Sequence, residues 1–583
     1  MSERPTFNLL DEPWIPVTLT SGESTELSMV DVLQRAREIT AVNGDLPIQR
    51  FALIRLLLAA MYAAIPGGPA NRAQPEYVEK HGPNAPFSKV WSFLWNNGIH
   101  DRVIEHLRRH HDRFDLLDPE QPFFQVADLH TAKGEASGLE KLVLDVPNGD
   151  PFFTTRIGEG LDSLSFAEAA RWLVTVQAFD PSGIKTGVVG DPRVKGGRGY
   201  PIGVAWTGQL GGLLITGKTL AQTLALNFVG QGGQSATWNV KDQKPAGDRP
   251  AWERPQTTAA VTPGLDQTLD KAAKIDQTGE IRYFHGPATL YTWQSRRIRL
   301  FHDSGRVTGV IIANGDRLKP QNGQKYEPMT VWRRSPTQER SLGMPLVYMP
   351  LQHSAERSLW RGVANLLPVD NAEQQPDRLP SLASQWLSSL YSTGALSRDE
   401  LVTVQAFGLV YGSNDSVVAE QIDDSLDLHL SVLASTDVAL RGLLENATAL
   451  ADEGVKQVRS LAGNLASAAG LDPAAARVRA GERGYSSIDG LFRQWLAELT
   501  VQTDRVQALA AWRATARDAM LQLGSALVDE CGPQTWTGRE VKIGSSLRFV
   551  NAAVADLRFR TGMKKYLGAP DTTVATPLAK EIA

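Results

Sequence analysis

Gly183 to Gly199 reads GIKTGVVGDPRVKGGRG, with six glycines and four Lys or Arg residues in seventeen positions. It stands between a predicted helix, Ser165 to Thr175, and an apolar segment that begins at Tyr200. Glycine lets backbone approach a ligand closely. Amides left free by missing side chains hold phosphate oxygens, and Lys and Arg neutralise them. On this reading the stretch is a polyanion contact. A surface loop whose charges only keep it soluble has the same composition, so both readings stand at this point.

Its glycines do not spell the G-x-G-x-x-G of a dinucleotide site. Just downstream, Gly212 to Thr219 reads GLLITGKT and matches a phosphate-binding loop literally. Its interior, Leu213, Leu214, Ile215 and Thr216, has the character of a buried strand, and LVLD at Leu142 to Asp145 precedes it where a magnesium-holding strand should follow. A nucleotide triphosphatase is therefore disfavoured.

A chain of 583 residues exceeds what one hydrophobic core organises, so two to four domains are expected. With 21% charged and 42% hydrophobic residues the composition is that of an ordinary globular protein. A net charge of -4 argues against independent wrapping of DNA and for binding within a larger assembly. Cys531 is the only cysteine, which excludes an intrachain disulfide or a thiolate zinc cluster and favours a reducing cytoplasm. The N-terminus lacks the basic-then-apolar order of a signal peptide. The apolar run Phe51 to Ile65 is divided by Arg55 and followed by Pro66, which predicts a buried helix with one broad apolar face.

Taken in order, Phe7 to Leu19 predicts a short edge strand anchored by Trp14, and Val30 to Arg37 a helix. Leu142 to Gly160 predicts a strand and a turn-rich loop in which Phe152 and Phe153 near Arg156 could stack bases and hold phosphate, or simply anchor the loop. Ser165 with Glu168 is a capping box. Leu290 to Leu300, with Arg296, Arg297 and Arg299, pairs with Val307 to Ala313 as a basic hairpin, only part of which can face one groove. Trp332 with Arg333 and Arg334 reads either as a nucleic-acid contact or as a connector with a buried ring. A helix is expected near His353, another at Ser384, and a strand over Val402 to Tyr411. Asp437 to Ala451, Asp472 to Ala480, Ile488 to Leu499, Asp504 to Val528 and Leu547 to Leu567 are predicted helices. The last bears Arg558, Arg560, Lys564 and Lys565, a candidate DNA or protein contact.

The order NLLDEPWIPV (Asn8 to Val17), DPEQPFFQ (Asp118 to Gln125), the phenylalanine loop, the glycine-rich loop, VYGSNDS (Val410 to Ser416) and a helical end resembles the CasA family, the large subunit of the type I-E CRISPR Cascade surveillance complex. The resemblance implies an α+β chain: a large mixed α/β domain over 1–424 and an all-α four-helix bundle over 425–583 with a frayed tail. It further implies an antiviral, noncatalytic subunit without cofactor or metal. Such a subunit works with CRISPR RNA and the other Cascade subunits, recognises the protospacer-adjacent motif of double-stranded DNA, assists its opening and recruits a helicase-nuclease, with no membrane involved. By the same resemblance Gly183, Gly187, Lys325 and Asn414 bind the motif, with Lys319 as the alternative groove lysine. Asp415 and Ser416 stand at the strand wedge, where one branch of the family has a glutamine and a small apolar residue. Phe152, Phe153 and Arg156 contact the RNA handle or the complex. The zinc-binding cysteine cluster of some members is excluded here by the single Cys531. Two competing readings remain: a metal-dependent nuclease or phosphohydrolase using His111, Asp112, His302 and Asp303, and an interaction scaffold that never touches DNA.

Overall fold

The computed structural model describes residues 5–65, 87–146, 154, 156, 159–230, 248–262, 286–369, 376–392, 394–396, 400–543 and 546–568. The chain divides into two compact units, Met1–Leu359 with Asn365–Ser425, and Trp360–Ala364 with Leu426–Ala583.

The larger unit mixes helices with several small sheets. Ile15–Leu19 lies between Ser24–Leu27 and Ile39–Val42, so the expected edge strand is central. Pro16 has no N–H to give this sheet, while its carbonyl accepts from the Asn43 N–H at 2.8 Å. Trp14 does anchor the segment: it is fully buried, and its indole N–H donates to the Leu9 carbonyl at 2.9 Å.

Pro47–Ala64 is the core helix. The expected single apolar face is wrong, because every residue from Phe51 to Tyr62 is buried. The helix is long and apolar enough to cross a membrane, yet 83% of it is buried inside the protein, as befits a helix hydrophobic on all sides. Arg55 is accommodated by a two-pronged pair with Glu327, at 2.8 and 2.9 Å, and lies 4.0 Å from the centre of the Tyr291 ring.

Phe166–Phe179 begins as its sequence predicts, with the Ser165 hydroxyl accepting from the Glu168 N–H at 3.1 Å. Gly212–Thr216 is a strand at one edge of a sheet whose middle is Leu401–Tyr411 and whose other edge is Val418–His429. Leu213, Leu214 and Ile215 are buried in it, so the GKT that follows opens a strand-to-helix turn in which Thr219 caps Leu220–Asn227. Trp332–Arg334 is the middle of a third three-stranded sheet, with Trp332 buried.

The basic hairpin forms as Arg296–Asp303 and Arg306–Asn314, but Arg296, Arg297 and Arg299 bond to partners within the fold. Arg296 and Arg297 are buried and donate inward. Arg297 reaches Asp316 at 2.8 Å and the Thr258 carbonyl at 2.8 Å, and Arg299 reaches the Leu129 carbonyl at 3.1 Å. Two further expectations fail. Leu142 to Asp145 is a turn after the short helical turn Leu139–Lys141, and no helix starts near His353, the next helical turn being Leu359–Leu366.

The second unit is largely α-helical: Val438–Ala469, Pro473–Ala497, Arg505–Asp529 and Ala552–Leu567. Asp437, Asp472 and Asp504 each cap a helix through a side-chain oxygen, at 2.8, 2.9 and 2.9 Å from a first-turn N–H. The unit is not all-α, because Arg539–Ile543 and Ser546–Val550 pair as a hairpin. The predicted helix from Leu547 therefore starts only at Ala552.

Candidate nucleic-acid interface

The tip joining Leu401–Tyr411 to Val418–His429 carries Asn414 and Asp415, two consecutive non-glycine residues with positive φ, 54° and 55°. Asn and Asp tolerate that region best, but each such residue still costs roughly 1–3 kcal/mol and persists only where its surroundings fix it. They are fixed. The Asp415 N–H donates to the Gly412 carbonyl at 2.9 Å, the Gly412 N–H to Val417 at 2.9 Å, and the Ser416 hydroxyl to Ser413 at 2.7 Å. Ser413, Asn414 and Asp415 are exposed.

The end of Phe166–Phe179 clasps this tip. The Ser182 N–H donates to the Asp415 carbonyl at 2.7 Å, and the Tyr411 hydroxyl donates to the Phe179 carbonyl at 2.7 Å. Gly183 follows at φ +87°, where a Cβ would stand 3.5 Å from that of Ser416. Sequence positions more than two hundred residues apart thus meet, with Ser182 against Asp415 and Gly183 against Ser416.

A buried charge cluster holds the clasp from beneath. Asp180 accepts from Lys185 at 2.5 Å and from Arg296, whose guanidinium also donates to the Pro181 and Gly203 carbonyls at 2.9 and 3.0 Å. Burial pulls the Lys185 ammonium below its ordinary value, against the opposing pull of Asp180. Burial likewise pushes the Tyr411 phenol well up, so it remains a neutral donor. Asp180 and Tyr411 organise the site and were missed from sequence, while Lys185, counted there among the phosphate-neutralising cations, is instead spent on Asp180. The one available signal was Asp180-Pro181, a turn-initiating pair at a helix end.

Other candidate residues fall elsewhere. Gly187 is required by its own hairpin, since a Cβ there would collide with the Gly197 carbonyl. Lys325 ends the helical turn Gly323–Lys325, whose capping residue Asn322 donates its N–H to the Tyr348 carbonyl at 2.9 Å; Lys325 and Lys319 are both half-buried. Phe152 and Phe153 lie outside the described residues. Arg156 is gripped by Glu168, by Asp145 at 3.4 Å and by Asp45 at 3.5 Å, so its charge is taken up within the fold. Arg558, Arg560, Lys564 and Lys565 are exposed on Ala552–Leu567, with Arg560 paired to Asp556 at 2.8 Å.

His111 points its Nε2 at Asp11, 2.7 Å away, and the His302 ring meets Phe166 edge-on at 6.0 Å. Among the described residues no group of three His, Cys, Asp or Glu side chains could hold a metal ion.

Known proteins share this architecture. The family described as CRISPR-associated protein Cse1 matches residues 8–523. The crystal structure of Thermobifida fusca Cse1 has a TM-score of 0.82 at 40% identity, covering 97% of this chain and 98% of that one. Cse1 of Acidimicrobium ferrooxidans gives 0.74 at 25% identity, covering 97% and 99%. The CRISPR-associated protein CasA/Cse1 of Thermus thermophilus is 27% identical over 547 residues, 88% of this chain and 92% of that protein. The chain belongs to the Cse1 (CasA) family, the large subunit of the type I-E Cascade surveillance complex.

Proposed function

We propose that this subunit reads the protospacer-adjacent motif of duplex DNA at the junction of Gly183 with Asn414, Asp415 and Ser416, assists strand opening there, and recruits the helicase-nuclease that cuts the DNA. The observation that carries this is the clasped tip: two strained, exposed polar residues held in one geometry against a glycine that offers backbone. Preorganisation of this kind lowers the ordering cost of binding. Asn414 can donate to and accept from base edges, while Gly183 allows close approach to a narrow groove. The minor groove carries a degenerate code, so several motifs should be accepted. Asp415 is repelled by phosphate but can accept from the amine of an exposed base, a chemistry suited to a wedge. Lys325, or Lys319 in its place, supplies the groove cation, and the basic face of Ala552–Leu567 belongs to the recruiting platform.

The test is binding of the reconstituted RNA-guided complex to a randomised motif library at fixed salt. Asn414→Ala is expected to flatten the motif preference by about 5–150-fold, the equivalent of the roughly 1–3 kcal/mol carried by a good base contact. Gly183→Asp, which forces a side chain into a positive-φ position beside Ser416, should lose motif-dependent binding while RNA assembly persists. A parental motif profile in Asn414→Ala, Gly183→Asp and Lys325→Ala together would overturn the assignment of these residues, with Lys319→Ala then deciding the lysine.

Phe152 and Phe153 are proposed to seat the subunit on the RNA-bearing complex. Changing both to Ala should weaken association without target DNA, since base stacking on an aromatic ring is worth roughly 1–3 kcal/mol. An unchanged pull-down with an intact circular dichroism spectrum rejects that role.

A further inference from the structure

The four cations of the glycine-rich loop separate into two kinds. Lys185 is buried against Asp180, and Arg193 is tied to Asp191 and to the carbonyls of Asn314 and Gly315 at 2.9 and 2.8 Å. Lys195 and Arg198 are exposed, and neither side chain has a partner among the described residues. They face each other across a two-residue turn. The Lys195 N–H donates to the Arg198 carbonyl and the Arg198 N–H to the Lys195 carbonyl, both at 3.1 Å, and Gly196 and Gly197 take φ of 58° and 73°. Positive φ at both central residues is the signature of the tight hairpin turn whose twist matches its strands. The close approach of Gly187 to Gly197 and the pairing of Thr186 with Arg198 fasten the tip to the segment that leaves Gly183. The stretch is therefore a hairpin that projects two cations unpaired among the described residues, rather than a loop without regular structure.

We propose that Lys195 and Arg198 form a phosphate clamp for the sugar-phosphate backbone of duplex DNA, flanking the motif-reading junction; this rests on the function proposed above. Three residues of extended chain separate Gly183 from Thr186, about 10 Å. Residues exchanging both hydrogen bonds across a hairpin stand about 5.5 Å apart at Cα. Two long cationic side chains on that base can each meet a phosphate bordering a minor groove about 6 Å wide. Phosphate contacts fix register without reading sequence, so the clamp adds affinity and leaves motif choice to Asn414 and Gly183.

Affinity of the reconstituted complex for duplex DNA, measured across a salt series, tests the clamp. Each neutralised phosphate contributes about 0.9 to the slope of log affinity against log salt, so Lys195→Ala with Arg198→Ala should make the slope shallower by about 1.8. Binding should weaken for every motif in parallel, with the preference intact, and the exchange Lys195→Arg with Arg198→Lys should restore the parental slope. A parental slope in the double alanine variant overturns the clamp and leaves the motif assignment standing. Absence of motif-dependent binding by the unsubstituted complex overturns the reading beneath it. If the double variant instead assembles poorly with the RNA-bearing complex when no DNA is present, the duplex assignment is wrong.

Discussion

Arg55→Met alone is expected to destabilise the larger unit by about 3–5 kcal/mol, whereas Arg55→Met combined with Glu327→Leu should cost far less or nothing. The Arg55 guanidinium, in the middle of the core helix, and the Glu327 carboxylate packed against it are 1% and 0% exposed. Removing the cation alone leaves a carboxylate without a counter-charge in a site of low polarity. Glu327 is also an acceptor for the Met329 N–H at 3.1 Å and the Trp206 indole N–H at 3.3 Å, so it cannot swing out to water without orphaning both. Replacing both members with apolar groups removes the charge together with its desolvation penalty, although the Met329 N–H and the Trp206 indole each lose this acceptor and limit the recovery. The measurement is amide hydrogen exchange across Pro47–Ala64 in the two variants, because a chain of two units need not unfold in one step. A single variant whose protection falls by less than about tenfold, some 1.4 kcal/mol, would show that the pair is dispensable for the core.

The same pair marks the limit of what sequence alone discloses. Arg55 was legible as an interruption in an apolar run, but its partner lies 272 residues away and nothing local announces it. Arg296, Arg297 and Arg299 mislead for the same reason: a row of arginines reads as a basic surface until the carbonyls and carboxylates that bury it are in place. Glycine misleads in the opposite direction. Val438–Ala469 is one helix, of which only the first part is legible, because Gly454 and Gly463 look like breaks. They are contact points, since a Cβ on Gly454 would lie 2.9 Å from Met520 and one on Gly463 would strike Arg477. Gly481 and Gly484 play the same part in Pro473–Ala497, packing on Arg459 and Val455. Local chemistry is read well where it is sufficient, as at the Ser165 cap. The Gly183–Ser416 junction needed the resemblance to bring its two halves together, because clasping bonds between backbone atoms leave no trace in side-chain pattern.

Trp360→Ala is expected to cost the helical unit about 3–5 kcal/mol, the usual range for deleting a fully buried tryptophan. Trp360 is 0% exposed. Its ring stacks on Phe492 at 4.4 Å, and its indole N–H donates at 2.8 Å to Asp489, which also holds Arg493 at 2.6 Å. The next residue, Arg361, lies 3.8 Å from the centre of the Tyr485 ring and 3.2 Å from Asp452. Trp360–Ala364 thus belongs to the helical unit although the chain on both sides of it, to Leu359 and from Asn365, belongs to the larger one. Cutting the chain after Ser425 would therefore strip Trp360 of its partners as well as delete the helices, and a loss of nuclease recruitment after such a cut would have two causes. Trp360→Ala loosens the helical unit with every segment present. Its expected signature is faster hydrogen exchange along Ile488–Leu496, with weaker recruitment or R-loop formation and unchanged motif binding. Trp360→Phe keeps the stack but loses the donor to Asp489, so it should cost roughly 1.5–3 kcal/mol, the range for a hydrogen bond to a charged group. Intact exchange protection in Trp360→Ala would show that the buried Trp360 ring is incidental to the unit. Loosened helices with full recruitment would instead remove the platform role proposed for this unit while leaving its packing as described.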